Sequence, residues 1–525
     1  MNHLNRYILS SLMVSCCSFA AATYDAAGGV SMSGSIESNM LISQGDAETG
    51  AKKQDGLQMN SYVELMVQSS HVDAGIRMEY MENPLPGYEK DFKGWGVPHF
   101  WITGRAGCGE LTGGTFYEQF GSGFVLRTYE DRTLGIDNSL LGGRLVLRPT
   151  KGITLKALAG RQRRYWDWSK GFVSGVDAEV DMSEWVKALK KHGTELTLGG
   201  SWVNKYEKQE DIYADATHKY NLPEFVNAFD IRATMNSGPW TVLAEYAHKS
   251  QDPSFDNEYS YRSGTVLFLS CSYAENGLGL LLQGRRSQNM AFRSRRNMTG
   301  TSSYINHLPA FTQEHTYALA SLYPYATQFV NGEWAWQAEA GYNFKRNTAF
   351  GGRYGMRAKL VFSHVRWEGK TYYQDIDAQI TRNVSRDFKM TLMYMNQCYN
   401  KTIVEGHGGM VRSNIFIADG RYQLTPKTVL RTELQYLSTH DDVGDWINIL
   451  LELSLASRWM FFIGDMYNVG ETHIHYYQGG IVFSTAGHRL QAGYQRTRAG
   501  DNCAGGICRY VPATRGFTVS YNYSF

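Results

Sequence analysis

Arg515-Gly516-Phe517-Thr518-Val519-Ser520-Tyr521-Asn522-Tyr523-Ser524-Phe525 closes the chain. In an extended segment successive side chains point to opposite sides. Phe517, Val519, Tyr521, Tyr523 and Phe525 therefore share one face, and Thr518, Ser520, Asn522 and Ser524 the other. About ten residues with this alternation cross the hydrocarbon layer when tilted, apolar face to lipid and polar face to a lumen.

The same pattern recurs along most of the chain. Trp334, Trp336, Ala338, Ala340, Tyr342 and Phe344 oppose Glu333, Gln337, Glu339, Asn343 and Lys345. Tyr354, Met356, Ala358, Leu360 and Phe362 oppose Arg353, Arg357, Lys359 and Ser363, while Phe229, Ile231, Ala233 and Met235 oppose Asp230, Arg232, Thr234 and Asn236. Leu430, Leu434 and Tyr436 oppose Arg431, Glu433 and Gln435, and Leu490, Ala492 and Tyr494 oppose Arg489, Gln491 and Gln495. A soluble sandwich or propeller also alternates, but charges set mid-strand opposite an unbroken apolar stripe suit a watery lumen. In lipid only closure satisfies every strand N–H and C=O. The expected fold is an all-β, antiparallel up-and-down transmembrane barrel.

Strands are predicted near 31–42, 57–69, 71–82, 99–108, 139–148, 152–163, 172–180, 194–206, 225–236, 240–249, 264–275 and 278–288. Others follow near 314–325, 334–345, 352–363, 372–382, 387–398, 410–422, 428–438, 446–455, 459–467, 473–484, 488–497 and 516–525. Ser237-Gly238-Pro239, Glu275-Asn276-Gly277 and Ala486-Gly487 read as tight periplasmic turns, and 207–223, 250–262 and 289–313 as external loops. Up-down alternation counted from the two ends disagrees between 330 and 425, which leaves an even strand number of roughly 18 to 24. Ser183–Lys191 suits one short helix, and no internal repeat stands out.

At the other end, Arg6, the apolar run Ile8–Phe19 and Ala20-Ala21-Ala22 read as a signal peptide over 1–22, leaving 23–525 as a single barrel. A lipoprotein signal ending at Cys16 is the competing reading. Beyond it, no stretch holds the about 18 consecutive apolar residues of a transmembrane helix. Roughly 500 residues would ordinarily make about three domains, with barrels the recognised exception. The composition, with 34 Tyr, 24 Phe, 12 Trp and 54 Gly but only 11 Pro, suits two aromatic girdles better than a helical enzyme. A formal charge of +2 gives no reason to expect nucleic acid.

Residues 104–138 are the least barrel-like, and the glycine-rich stretch Gly113–Arg132 fits either a strand pair or an inward-folded constriction. Its Phe116-Tyr117-Glu118-Gln119-Phe120-Gly121-Ser122-Gly123-Phe124 run, Leu126–Glu130, Leu134–Gly142 and Cys503–Ala513 resemble a poorly characterised family of Bacteroidota outer-membrane barrels. The likeness covers the whole mature chain and implies location and fold, with no substrate or catalytic residue to transfer. The final strand also resembles the assembly signal of outer-membrane barrels generally. That likeness implies that Phe517, Tyr521, Tyr523 and Phe525 meet the barrel-assembly machinery during biogenesis, and that lipid and lipopolysaccharide surround the finished barrel.

Of the cysteines beyond the leader, Cys503 and Cys508 suit a small disulfide-bridged external loop, with a metal or free-thiol site the weaker alternative because no histidine lies within the loop, and Cys108, Cys271 and Cys398 read as packed or lone thiols. His473 and His475 share a strand face but read as a surface or lumen pair rather than metal ligands. Arg285, Arg286, Arg293, Arg295 and Arg296 suit a solvated loop, or a site for lipopolysaccharide phosphates or an anionic solute. Arg161, Arg163, Arg164, Trp166 and Trp168 mark a strand end at the membrane interface.

Function is less legible. Glu245, Glu339, Arg357, Lys359, Arg431 and Glu433 are candidate lumen-lining residues of a pore or transporter for small polar or charged solutes. Packed tightly, the same charges would instead make a non-conducting barrel that holds a surface lipoprotein or a secretion component. A rim hydrolase built from His440, Asp441, Asp442, Asp445 and His475 is weaker, because no nucleophile motif accompanies them. A separate N-terminal plug is not expected, since strand-like alternation begins at Val30–Ile42. No catalytic, metal or cofactor site is assigned.

Overall fold

Hydrogen bonds between Ser35–Ser43 of the first strand and Gly516–Ser524 of the last close the sheet on itself. The computed structural model describes residues 29–525, so the expected signal segment 1–22 with Cys16 lies outside the described residues. The product is a closed barrel of 24 antiparallel strands, each paired with its sequence neighbours. In chain order they are β1 Ser31–Ser43, β2 Gln58–Gln68, β3 Val72–Met81, β4 Gly94–Ala106, β5 Gly109–Phe116, β6 Leu140–Leu147, β7 Ile153–Arg164 and β8 Phe172–Asp181. Next come β9 Thr194–Tyr206, β10 Phe225–Ser237, β11 Trp240–Lys249, β12 Gly264–Glu275, β13 Leu278–Gln288, β14 Glu333–Phe344, β15 Met356–Trp367 and β16 Lys370–Asn383. The last are β17 Phe388–Asn400, β18 Met410–Thr425, β19 Thr428–Thr439, β20 Trp446–Leu455, β21 Trp459–Asn468, β22 His475–Thr485, β23 His488–Thr497 and β24 Thr514–Ser524.

Two expectations are corrected. Residues 314–325 are not a strand, and Gly109–Phe116 is one. The two errors shift the up-down parity in opposite places, whereas all five strands within 333–425 are real. The disagreement therefore arose upstream of where it was placed. Glycines 113 and 114 hid the strand Gly109–Phe116: Gly114 has φ +108° and a Cβ there would sit 2.3 Å from the Phe100 carbonyl oxygen, so β4 and β5 pair only because no side chain intervenes. The expected helix is a 3-10 turn at Met182–Glu184 followed by Lys187–Lys191.

The outward stripe is apolar and open, with Ile102 56%, Leu111 60%, Ile231 63%, Leu282 62% and Ile463 64% exposed. Water solvates so continuous a belt poorly, and hydrocarbon accommodates it. Inward-facing residues change character along the strands. Near the end bearing the chain termini they are polar, but toward the other end Val173, Val203, Val226, Val266, Val365, Ile415 and Leu437 are fully or almost fully buried. An apolar lumen wall needs an apolar filling. The bore demands one as well: 24 strands about 4.8 Å apart and tilted about 40° enclose a cylinder about 48 Å across, too wide for wall side chains to fill.

Candidate functional site

Two of the loops at the far end supply the filling. The first, 117–139, leaves β5 and forms two short hairpins, Gln119–Phe120 with Leu126–Arg127 and Glu130–Asp131 with Ile136–Asp137. Between the arms of the first, the Gly121-Ser122-Gly123 turn meets the wall. Ser122 donates its backbone N–H (3.1 Å) and its hydroxyl to the Glu245 carboxylate. Gly121 has φ +51° and a Cβ there would lie 2.6 Å from Glu245 Oε1, so this contact requires glycine. Phe120, Phe124, Val125, Leu126 and Leu134 are wholly buried among the apolar wall residues.

The second hairpin is held by charge. Arg77 on β3 contacts Glu79 at 2.8 Å and Glu64 at 3.5 Å from the wall, and Glu130 at 2.8 Å and Asp137 at 2.5 Å from the loop. Arg163 on β7 contacts Glu79 and Asp137, both at 2.6 Å, and Arg132 of the loop reaches Glu37 at 2.7 Å. Burial alone would raise the Asp137 carboxyl, but Arg163, Arg77 and hydrogen bonds from Ser139 hold it well below the usual range. Burial wins at Glu130, whose carboxyl stands above its ordinary value despite Arg77 and Arg132. Arginine suits this role because its planar fork serves several carboxylates at once.

The longer segment, 289–332, lies beside the first. Met290, Phe292, Ile305, Leu308 and Leu319 are fully buried in the same apolar cluster. Arg127 N–H donates to Ile305 O at 2.8 Å and His307 N–H to Gly123 O at 2.9 Å, which joins the two segments. Wall groups tie it down: Arg285 bonds Pro309 O, Glu333 accepts from Tyr325 and from Gln328 N at 2.6 Å, Gln435 accepts from Leu319 N at 2.8 Å, and Gln397 donates to Tyr323 O at 3.1 Å. The ring of His307 has no hydrogen-bond partner at either nitrogen. Burial, with Arg127 and Arg285 nearby, lowers its pKa to about 3.

Over both segments lies a hairpin of Gly500–Ala504 and Ile507–Val511, bridged by the Cys503–Cys508 disulfide. Its tip accepts hydrogen bonds from Thr327 N at 2.9 Å and Ala310 N at 3.3 Å, while Arg509 donates to Leu134 O. Only glycine fits at Gly506, where a Cβ would meet Thr327 Oγ1 at 2.4 Å and Ala310 N at 2.6 Å.

Five of the six lumen candidates named from sequence are engaged rather than free. Glu245 holds Ser122, and Lys359 pairs with Glu339 at 3.2 Å and donates to Gln313 of the long segment at 3.0 Å. Arg431 joins Asp419 at 3.0 Å, Glu452 at 2.9 Å and Glu433, while Asp419 accepts from Tyr317 at 3.2 Å. Arg357 stands exposed near the terminus-bearing end. Four of the five arginines are neither a solvated loop nor an open anion site, and the fifth, Arg286, lies over the Trp367 ring. Arg285, Arg293 and Arg296 are buried against Glu333, Asp256 and Glu207, and Arg295 meets Glu210 at 3.3 Å. Arg163 likewise points into the lumen network instead of marking an interface, while Arg161 is exposed.

Other expectations change in detail. His473 precedes β22 with φ 54°, so it shares no strand face with His475, which instead lies 2.6 Å from Asp465. At the rim, Asp445 accepts from Thr439 N (2.8 Å) and Tyr436, Asp442 from Tyr323 (2.9 Å) and Lys401 (2.8 Å), and Asp441 from Arg412 N (2.9 Å). These carboxylates brace turns. Cys108, Cys271 and Cys398 carry no disulfide.

The inward course of 289–332 was missed because a long segment between strands reads as an external loop. Its apolar content, including Met290, Phe292, Ile305, Leu308 and Phe311, was the available signal. What the filling leaves open is a cavity of about 670 Å³ beside β1, β23 and β24, bordered by Asn39, Gln491, Gln495, Thr518 and Ser520 and, from the long segment, His315 and Ser321. A further space of about 630 Å³ borders Glu37, Arg489 and Asn522 nearer the terminus-bearing end.

Comparison with solved structures finds barrels of low similarity. The translocation pore of the P pilus usher PapC is 12% identical over 94% of this chain and 99% of its own, with a TM-score of 0.45. A ferric enterobactin receptor mutant from Pseudomonas aeruginosa, in complex with enterobactin, is 10% identical over 95% and 82%, with a TM-score of 0.44. The outer membrane protein opdK from Pseudomonas aeruginosa is 10% identical over 94% and 98%, with a TM-score of 0.38. No curated protein matches the chain. A family model described as a family of unknown function, DUF6029, matches residues 4–525, and the chain belongs to that family.

Proposed function

We propose that the protein is an outer-membrane barrel that passes small polar solutes and rests nearly closed, its own loops 117–139 and 289–332 serving as the plug. Short turns at the terminus-bearing end face the periplasm and the long loops face outward, as in such barrels generally. A source in the Bacteroidota accords with the motif resemblance.

The observation that carries this reading is the cavity of about 670 Å³ between plug and wall. Amides and hydroxyls border it on the wall side, and groups of that kind replace a solute's water hydrogen bonds without imposing a charge. Of the charged candidates, Glu245 and Lys359 are committed to holding the plug, so on the wall side solute choice falls to Asn39, Gln491, Gln495, Thr518 and Ser520, with Arg498 and Asp501 on the loop side of the same cavity.

Planar-bilayer recording tests it. The expected result is small, brief conductance steps for the intact protein, reduced by Gln491→Trp and greatly enlarged when 290–331 is replaced by a short Gly/Ser turn. Silence from the intact protein, with large steps only after plug removal, would favour a non-conducting barrel that holds a surface lipoprotein or a secretion component. The buried apolar face of the plug is the observation on that side.

A further inference from the structure

Most buried carboxylates in this lumen have cationic partners: Glu79 and Asp137 have arginines, Asp252 has Lys205 and Glu333 has Arg285, while Glu245 instead accepts from Ser122 of the loop. Asp375 and Asp377 have neither a cation nor a full set of donors. They sit two residues apart on β16, so both project into the lumen, and they are 0% and 2% exposed. Among the described residues no lysine or arginine pairs with either. Facing them is His315 from the plug, its side chain 4% exposed, with Nε2 3.3 Å from Asp377 Oδ2.

Their donor atoms are unusually idle. Asp375 receives one hydrogen bond, from Tyr373 at 2.9 Å, while its Oδ1, both oxygens of Asp377 and His315 Nε2 have no hydrogen-bond partner. One ligand atom from each of the three residues lies within 4.8 Å of the others. Charged groups out of water are normally paired or bound to metal, and two adjacent carboxylates repel unless a cation or proton lies between them.

We propose that His315, Asp375 and Asp377 bind a divalent transition-metal ion, of which Zn²⁺ is the best match. One imidazole and two carboxylates suit zinc, and three protein ligands leave a position for water. His315 also borders the cavity of about 670 Å³, which gives the ion a route in. Because His315 belongs to the plug and the aspartates to the wall, the ion fastens one to the other. That consequence rests on the resting-plug reading above, whereas the binding does not.

The test uses the full mature protein in detergent, stripped with chelator and titrated with ZnCl₂ against a chromophoric competitor. One equivalent is expected to bind, and zinc to raise the unfolding temperature. Asp375→Asn/Asp377→Asn removes both effects and, with the repulsion gone, melts above the metal-free parent. His315→Phe, which leaves the wall intact, is expected to weaken binding at least tenfold, so the proposal stays testable if the double variant fails to fold. No zinc uptake by the parent, or undiminished uptake by His315→Phe, overturns it. Bilayer silence would leave this titration unaffected, so the two readings fail separately.

Discussion

Replacing Arg77 by Met keeps much of the side chain's length and removes its charge. Arg77 is 2% exposed and touches two wall carboxylates, Glu64 and Glu79, and two of the plug, Glu130 and Asp137. Removing one partner from a buried ion-pair cluster costs about 3–5 kcal/mol because the opposite charges stay behind without water. The cost falls on the docked state of 117–139, since a released segment returns Glu130 and Asp137 to solvent. One factor of ten corresponds to about 1.4 kcal/mol, so local opening becomes roughly two to four orders of magnitude more frequent. Hydrogen exchange reads this at the amides of Thr128 and Asn138, which bond Glu118 O at 2.9 Å and Tyr129 O at 3.0 Å inside the segment. Strand amides across β17 and β18 are the control. Glu130→Gln in the Arg77→Met background is expected to restore part of the protection by removing one stranded charge. Acceleration below tenfold, or an equal acceleration in the strands, would refute the claim that Arg77 holds the plug.

Other outcomes follow from the same geometry. His307 has a folded pKa of about 3 against about 6.5 for the free residue, so the unfolded chain binds more protons between those values and stability falls as pH falls. Relative to His307→Phe, the parent plug is expected to lose about 1.4 kcal/mol per pH unit below pH 6.5, and a pH-independent difference in opening free energy would disprove it. Glu130, held above its usual value, favours docking as pH drops toward that value, and Asp137, held well below, weakens docking only under about pH 3.8; the comparison with His307→Phe cancels both. A Cβ at Gly34 would sit 2.6 Å from the Phe525 ring and 2.9 Å from Glu64 O, so Gly34→Val and Phe525→Ala are both expected to slow barrel formation, followed by the heat-modifiable band on gels. An unchanged rate for Gly34→Val would argue against a seat for the terminal ring. Cys503→Ser/Cys508→Ser removes closure of a short loop worth on the order of 2 kcal/mol, and exchange at Thr327 N, which bonds Gly506 O, should rise while the wall stays protected.

The barrel was legible because its code is local. Residues 333–344 and 514–524 carry a period of two with one apolar face, and that period survives any change elsewhere in the chain. Of the predicted strands, only 314–325 was spurious, for a physical reason: Leu319, Leu322, Tyr323 and Tyr325 are apolar because they pack inside the lumen, not because they face lipid. Alternation reports that a side chain is buried without reporting what buries it. The stretches that carry the family likeness, Phe116–Phe124, Leu134–Gly142 and Cys503–Ala513, contribute to the plug and the hairpin above it.

The partners across the lumen were beyond reach of local pattern. Arg77 with Asp137, Lys359 with Gln313 and His315 with Asp377 are far apart along the chain, and each pairing exists only once the cylinder has closed and the loops have turned inward. Side-chain alternation in the chain was enough to require a cylinder, since in lipid an open edge leaves backbone groups unpaired. How that cylinder is filled was decided by tertiary contact, because a bore about 48 Å across takes whatever the loops bring into it.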